Sequence, residues 1–246
     1  MLKQYRADLH IHTCLSPCAD LEMSPRAIIQ KAKEKGLDII GITDHNSSDH
    51  VLVTKELGRE VGIFVVGGME VTTQEEVHLL VLFEEVEQTL TFQGYIYSHL
   101  PDKENDPEIF GFQPIVNRND EILEFNRRLL MGATDVSLNQ LINKACELDG
   151  IIIASHVDRD AFSLTSQLGM IPPDIHLDAI EISHHFNKEK IRTMLPTTGS
   201  FPLILASDAH FLEDIGKSIT VFVMREPKVE EFKMAFKHEK GRKILS

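Results

Sequence analysis

Short apolar runs alternate with amphipathic segments of helical length along most of the 246-residue chain. This alternation constrains the fold more than any other feature, because it predicts strands that are joined by crossover helices. About seven such strand–helix units are recognisable, which favours a (β/α)7 TIM-like barrel for a chain of this length. An open doubly wound sheet is the alternative, since periodicity alone does not distinguish a closed sheet from an open one.

The apolar runs predict strands at residues 7–13, 37–43, 63–66, 77–83, 150–154, 179–182, 201–206 and 220–224. Helices are predicted at residues 25–36, 47–61, 120–130, 136–148, 160–168, 188–195 and 229–240, the first capped by Ser24 with Pro25 at its first position. Gly67 and Gly68 are interpreted as a turn or a close-packing point.

Residues 89–134 interrupt the regular alternation. They include a polar stretch with Pro and Asn at residues 101–106. We interpret them as an excursion inserted at the rim of the barrel, within a single domain that spans residues 1–246.

The formal net charge is −13, which argues against a protein that coats nucleic acid but allows a local pocket for one phosphate. The three cysteines, Cys14, Cys18 and Cys146, have no disulfide-scaffold spacing, so a reducing cytoplasm is expected. We expect no membrane partner, because no apolar run is long enough to span a bilayer and the first residues lack a signal-peptide core.

The first strand carries the first functional signal. Strand alternation places Asp8, His10 and His12 on one face, with Leu9 and Ile11 on the other. Two imidazoles at i and i+2 on a rigid strand can chelate one metal ion. The alternative is a pair of histidines that are hydrogen-bonded in a polar barrel interior.

Histidines and acids recur at the ends of later strands. Six of the twelve histidines lie on or directly after a predicted strand, and in a barrel those ends meet at one face. Imidazole with carboxylate, without clustered thiolates, suits Zn, Fe or Mn, and this many ligands implies two or three ions. The residues concerned are His10, His12, Asp44, His45, Glu70, His78, His156, Asp208 and His210.

Taken in order, these segments resemble the successive motifs of the PHP (polymerase and histidinol phosphatase) family: Asp8–Thr13, Thr43–His45, Met69–Glu70, Val77–His78, Ser155–His156 and Ser207–His210. The resemblance implies a distorted (β/α)7 barrel with three divalent ions that hydrolyses phosphoesters. It further implies one ion on His10, His12, Glu70 and Asp208, a second on Glu70, His78 and His156, and a third on His45, His210 and an early-loop residue.

The early loop departs from the family pattern, because it is longer here. Counting back from Pro25 places the ligand at Asp20, whereas counting forward from Ser16 places it near Cys18. We predict Asp20, because an oxygen ligand fits the remaining set. Cys18 is the alternative, either as a thiolate ligand or simply as a small buried thiol.

We therefore expect a metal-dependent phosphoesterase that uses a metal-activated hydroxide, with Glu70, Asp208 and His210 as its catalytic residues. Arg159, His184 and Lys217 are predicted substrate contacts. Its expected partner is a small phosphorylated metabolite or nucleotide. The alternatives are a nuclease that acts on nucleic-acid ends and a non-catalytic, metal-binding regulatory module. Separately, Asp8 and Asp44 are expected either to orient imidazoles or to make ordinary strand-end hydrogen bonds.

Overall fold

Seven strands form a nearly closed barrel in the computed structural model, which describes residues 1–172, 174–183 and 201–245. Around the barrel they follow the order β1 (Lys3–Ile11), β2 (Ile39–Ile42), β3 (Phe64–Thr72), β4 (His78–Phe83), β7 (Ile151–Ala154), β8 (Ala179–Ile182) and β9 (Leu203–Leu205). The predicted (β/α)7 TIM-like barrel is confirmed. Its distortion is β4, which runs antiparallel to both of its neighbours.

The chain closes the barrel just beyond β9. Ala209 forms a parallel bridge with Ile11 at the end of β1. The Ala209 amide donates to the His10 carbonyl at 3.1 Å, and the His12 amide donates to the Ala209 carbonyl at 3.0 Å. The earlier part of β1 pairs instead with the antiparallel β10 (Thr220–Met224), which pairs in turn with β11 (Lys243–Leu245).

Most of the helices pack against the outside of the sheet. The helices are α1 (Pro25–Glu34), α2 (Val51–Val61), α3 (Val86–Tyr97), α4 (Pro107–Phe110), α5 (Leu138–Glu147), α6 (Leu164–Leu168) and α7 (Val229–Phe236). The short α4 of the inserted segment has no buried residue. The Ser24 hydroxyl caps α1 as expected. By contrast, α2 begins after His50 without a side-chain cap, four residues later than the predicted start at residue 47. The helix predicted at residues 188–195 lies outside the described residues.

The glycine pair in β3 is a close-packing point within one continuous strand, so the predicted break after residue 66 is wrong. A Cβ atom at Gly67 would clash with the Val51 side chain of α2, and one at Gly68 would clash with the Val81 carbonyl of β4. Glycine is required here because neighbouring chain segments approach too closely for a side chain.

The register of β1 against β2 shifts by one residue between Asp8 and Ile11. Leu9 therefore packs with residues of every barrel strand, whereas Ile11 packs with Ile40 and Ile42 under α1 and α2. A bulge of this kind changes which face the following side chains occupy. The prediction that Leu9 and Ile11 share one face is therefore wrong.

The interrupting segment contains helix and hairpin. Its first residues belong to α3, whose Phe92 and Ile96 lie in the core cluster beneath β4. The helix predicted at residues 120–130 is instead the second strand of a hairpin, β5 (Pro114–Val116) and β6 (Ile122–Phe125). The turn between them is closed by the Asn117 side chain, which accepts from the Asn119 and Glu121 amides. No helix in the described part of the chain is long and apolar enough to cross a membrane.

Candidate metal centre

The histidines and acids predicted from the sequence converge at one mouth of the barrel. His10 and Glu70 lie on β1 and β3, close to the ends of these strands, and His12 directly follows β1. Because β4 is antiparallel, its first residue, His78, reaches the same mouth. His45, His156, Asp208 and His210 follow β2, β7 and β9.

Glu70 is the centre of this arrangement. Its Oε1 lies 3.1 Å from His78 Nδ1, 3.2 Å from His156 Nε2 and 3.5 Å from His10 Nε2. Its Oε2 lies 3.4 Å from both His12 Nε2 and His45 Nδ1. One buried carboxylate is therefore surrounded by five imidazoles, a geometry in which its two oxygens can bridge neighbouring cations.

Asp208 forms a second focus. Its Oδ1 lies 3.2 Å from His10 Nε2, 3.3 Å from His12 Nε2 and 3.6 Å from His210 Nδ1. Its Oδ2 lies 2.6 Å from an Arg159 guanidinium nitrogen. The predicted phosphate-binding arginine is thus held at the edge of the cluster, with a side chain that is 47% exposed.

Three overlapping groups of these residues have donor atoms within 4.8 Å of one another. The first is the predicted set His10, His12, Glu70 and Asp208. The second joins Glu70 and His78 to His45, and the third joins His45 and His210 to His12. His156 lies outside these groups but contacts the same Glu70 oxygen.

The residues fit a metal centre because buried polar atoms are left without partners. Among the described residues, nothing hydrogen-bonds to His45 Nδ1, His78 Nδ1, Glu70 Oε1 or Asp208 Oδ1. Buried polar atoms are otherwise nearly always paired, since an unpaired one costs about 1–3 kcal/mol. Cations between these atoms would satisfy all four.

The charges of the cluster are strongly coupled. Burial would raise the pKa of Glu70, but the nearby His78 and His10 lower it well below its usual range. Burial also lowers the pKa of His45, with the charge of His12 adding to the effect. The site therefore combines an ionised carboxylate with at least one neutral imidazole, which are the protonation states that bind cations.

Three residues with left-handed backbone conformations lie at the same mouth. His156 and Asp208 have φ values of +27° and +49°, and Asn46, next to His45, has +50°. Left-handed conformations are uncommon for residues other than glycine and persist where the surrounding structure holds them. Here they turn side chains into the cluster at the points where strands end.

Neither early-loop candidate joins the three groups. The Asp20 carboxylate accepts from the Glu22 amide at 2.8 Å, which closes a local turn. The Cys18 residue is exposed, so it is not the buried thiol of the alternative, although desolvation first, and then the charges of Glu70 and Asp208, raise the pKa of its thiol to about 12. The early-loop ligand stays a prediction.

The other predicted contacts lie apart from the cluster or outside the described residues. Lys217 Nζ pairs with Asp214 at 2.7 Å, next to Gly216, which packs against Lys35 and Leu37 before β2. This contact lies towards the end of the barrel opposite the mouth. His184 belongs to the residues that the structure does not describe.

One contact was missed from the sequence. Glu181 of β8 is buried, and its Oε2 lies 2.9 Å from His10 Nδ1. The signal was present, because Glu181 is the only charged residue in the apolar strand Ala179–Ile182. Of the two candidate orienting acids, Asp8 binds the Ser207 and Gly216 amides, whereas Asp44 binds Thr13 and Ser16.

Residues 8–218 match the PHP domain family, and residues 197–240 match a PHP-associated family. The chain belongs to the PHP domain family. It is 39% identical over 95 residues to an uncharacterized protein of Methanocaldococcus jannaschii, covering 35% of this chain and 56% of that protein. It is 30% identical over 78 residues to a phosphoribosyl 1,2-cyclic phosphate 1,2-diphosphodiesterase of Eggerthella lenta, covering 30% of this chain and 29% of that protein.

The fold is similar to that of the lesion-specific endonuclease Q of Pyrococcus furiosus, with a TM-score of 0.73 and 22% identity. That match covers 99% of this PHP chain and 58% of the endonuclease. A Bifidobacterium adolescentis protein named as a metal-dependent phosphoesterase is similar with a TM-score of 0.56 and 18% identity. That match covers 83% of this chain and 87% of the phosphoesterase. The match to the PHP chain thus spans little more than half the length of the Methanocaldococcus jannaschii protein and of the endonuclease.

Proposed function

We propose that this PHP chain hydrolyses a phosphate ester at a centre of three divalent ions, which are Zn, Fe or Mn. The observation that carries the proposal is Glu70, whose two carboxylate oxygens lie within 3.1–3.5 Å of nitrogens from five imidazoles. Family membership supports the reaction class, since PHP phosphoesterases and nucleases act on phosphate esters.

The proposed ligands are His10, His12, His45, Glu70, His78, His156, Asp208 and His210, with Asp20 or Cys18 from the early loop. Bound divalent ions would supply Lewis acidity towards the phosphoryl oxygens and would activate a water molecule. Glu70 would contribute to more than one ion, because its two oxygens face imidazoles that converge from different strands.

Two residues at the edge of the cluster are partly exposed to solvent and are therefore accessible to a substrate. The Arg159 guanidinium can bind two oxygens of a phosphate, and its current partner, Asp208, is a ligand at the edge of the cluster. The side chain of His210 is 23% exposed, whereas the side chain of His12 is fully buried. We assign phosphate binding to Arg159, and His210 would act as a ligand of the third ion.

The substrate class proposed is a small phosphorylated metabolite or a nucleotide. The partial match to a cyclic phosphate diphosphodiesterase supports a small ester. The net charge of −13 is consistent with this choice, since it disfavours a long phosphate backbone.

Cleavage at a nucleic-acid end is the second candidate, and one structural observation favours it. A cavity of about 330 Å³ beside the hairpin is lined by Tyr97, Phe125, Arg127 and Arg128, together with the acids Asp49 and Glu124. The Arg128 guanidinium lies 4.1 Å from the centre of the Tyr97 ring. Aromatic and basic groups together suit a single strand. The fold likeness to an endonuclease is compatible with this candidate.

The test is turnover of p-nitrophenyl phosphate, its bis-ester, nucleoside monophosphates and a 5′-labelled oligonucleotide, each with added Mn²⁺ or Zn²⁺. We expect hydrolysis of a small ester that is lost on chelation and in His10→Ala and Asp208→Asn. His176→Ala, at an exposed histidine, is the matched control and should keep full activity. Unchanged rates in the two cluster variants would overturn the proposal, and turnover of the oligonucleotide alone would favour the nuclease.

A further inference from the structure

Asp44 lies beside the cluster, fully buried, and accepts hydrogen bonds with both of its carboxylate oxygens. Oδ1 accepts from the Thr13 amide and from the Ser16 hydroxyl, each at 2.7 Å. Oδ2 accepts from the Thr13 hydroxyl at 2.8 Å. An ionised carboxylate has no proton to donate and can only accept hydrogen bonds. The protons of both hydroxyl groups therefore point towards Asp44.

On the side of the cluster, this arrangement determines which ring nitrogen of His12, a proposed metal ligand, carries the proton. Ser16 has one hydroxyl proton, which goes to Asp44, and its oxygen already accepts from the His45 amide at 3.1 Å. His12 Nδ1, 3.0 Å from the same oxygen, must therefore donate its own proton. His12 then presents Nε2, which faces Glu70 and Asp208.

On the opposite side, a second series of bonds reaches the hairpin. The Val116 amide of β5 donates to His50 Nε2 at 2.9 Å, so that nitrogen carries no proton. His50 Nδ1 must then be protonated, and it donates to the Thr13 hydroxyl oxygen at 2.6 Å. That hydroxyl in turn gives its proton to Asp44.

We propose that Asp44 is a positioning residue with two arms: through Ser16 it holds His12 in the Nδ1-protonated form, and through Thr13 and His50 it anchors the inserted hairpin beside the site. The first arm rests on the proposed function, because His12 matters there as a metal ligand. The second arm does not require a metal.

Two variants separate the arms. Ser16→Ala removes the acceptor of His12 Nδ1–H but leaves the His50 arm intact. His50→Asn keeps a donor near the Nδ1 position but loses the acceptor of the Val116 amide. Asp44→Asn should disturb both arms, because an amide nitrogen cannot accept.

The readouts are the ¹⁵N NMR tautomer of His12 in the metal-free protein at pH 10, Zn²⁺ affinity by chelator competition, and hydrogen exchange of the Val116 amide. Ser16→Ala should convert His12 to a mixture of tautomers and lower Zn²⁺ affinity about 10–100-fold. Exchange at Val116 should stay within about twofold. His50→Asn should accelerate Val116 exchange at least tenfold and leave Zn²⁺ affinity and the tautomer unchanged.

An unchanged His12 tautomer in both Ser16→Ala and Asp44→Asn would overturn the first arm, and unchanged Val116 exchange in His50→Asn would overturn the second. A general loss of folding would instead move all readouts together in every variant, which would also contradict the proposal. If the native chain binds no Zn²⁺, the proposed function fails, while the tautomer and the exchange rates still test both arms.

Discussion

Glu181 Oε2 accepts a hydrogen bond from His10 Nδ1 at 2.9 Å, and both side chains are buried at the base of the cluster. Because the carboxylate takes the Nδ1 proton, Nε2 of His10 is the nitrogen that faces Glu70 and Asp208. Carboxylate partners of this kind orient metal-binding histidines and raise their basicity. The orientation of His10 on β1 thus depends on a residue of β8, which is far away along the chain.

Replacing Glu181 should therefore weaken metal binding. We expect Glu181→Gln to lower Zn²⁺ affinity about tenfold, because the amide oxygen can still accept but without a charge. Glu181→Leu should lower it further and also destabilise the metal-free protein by about 1–3 kcal/mol, since His10 Nδ1–H is left buried without a partner. Chelator competition and urea unfolding measure the two effects. Equal affinity in the native protein and Glu181→Leu would contradict this role.

Arg159 provides a test of substrate binding that is separate from metal binding. Arg159→Ala should raise KM for a phosphate ester at least tenfold, with Arg159→Lys intermediate, because only the guanidinium binds two oxygens at once. Arg118→Ala is the matched control, since that arginine pairs with Glu60 on the exposed surface. Steady-state kinetics at saturating metal measure the difference. An unchanged KM in Arg159→Ala would contradict a role in substrate binding and would leave the arginine only its ion pair with Asp208.

Metal affinity should rise with pH. Burial would lower the pKa of His12, but the neighbouring carboxylates of Asp208 and Glu70 raise it to about 9 in the metal-free protein. This raised pKa stabilises the metal-free fold fully below about pH 6.5, the unfolded value, and the contribution is lost as pH rises through 9. Because a cation must displace that proton, Zn²⁺ affinity should increase from pH 6.5 to 9. Competition titrations that show no change between pH 6.5 and 8.5 would contradict the assignment of His12.

The packing of β3 against β4 predicts a stability change. Gly68→Ala places a Cβ atom against the Val81 carbonyl, so the strands must separate, at a cost of about 1–3 kcal/mol or more. Gly94→Ala is the control, because a Cβ there meets no atom within 4 Å and Gly94 lies inside α3. It should stabilise the protein by up to about 1 kcal/mol. Thermal unfolding of both variants measures these changes in stability. An unfolding temperature of Gly68→Ala at or above that of the native protein would contradict the prediction.

The barrel could be predicted because each strand is an apolar run bounded by helix signals, and the cluster because its members follow those strands. Which face each side chain of β1 occupies could not be predicted, since the one-residue shift between Asp8 and Ile11 depends on how β2 pairs with this strand. The hairpin was missed for a related reason, because β6 is exposed at every residue and carries no buried face to reveal its period. Glu181 shows the opposite case, a charge in an apolar strand that could have been identified as a partner for an imidazole.

The most direct test of the metal centre is anomalous X-ray scattering from crystals grown with Zn²⁺ or Mn²⁺, combined with elemental analysis of the same protein. We predict three anomalous peaks among His10, His12, His45, Glu70, His78, His156, Asp208 and His210, and a stoichiometry of about three ions per chain that falls in Glu70→Gln. Saturating metal with no anomalous peak between Glu70 and its surrounding imidazoles would contradict the central claim.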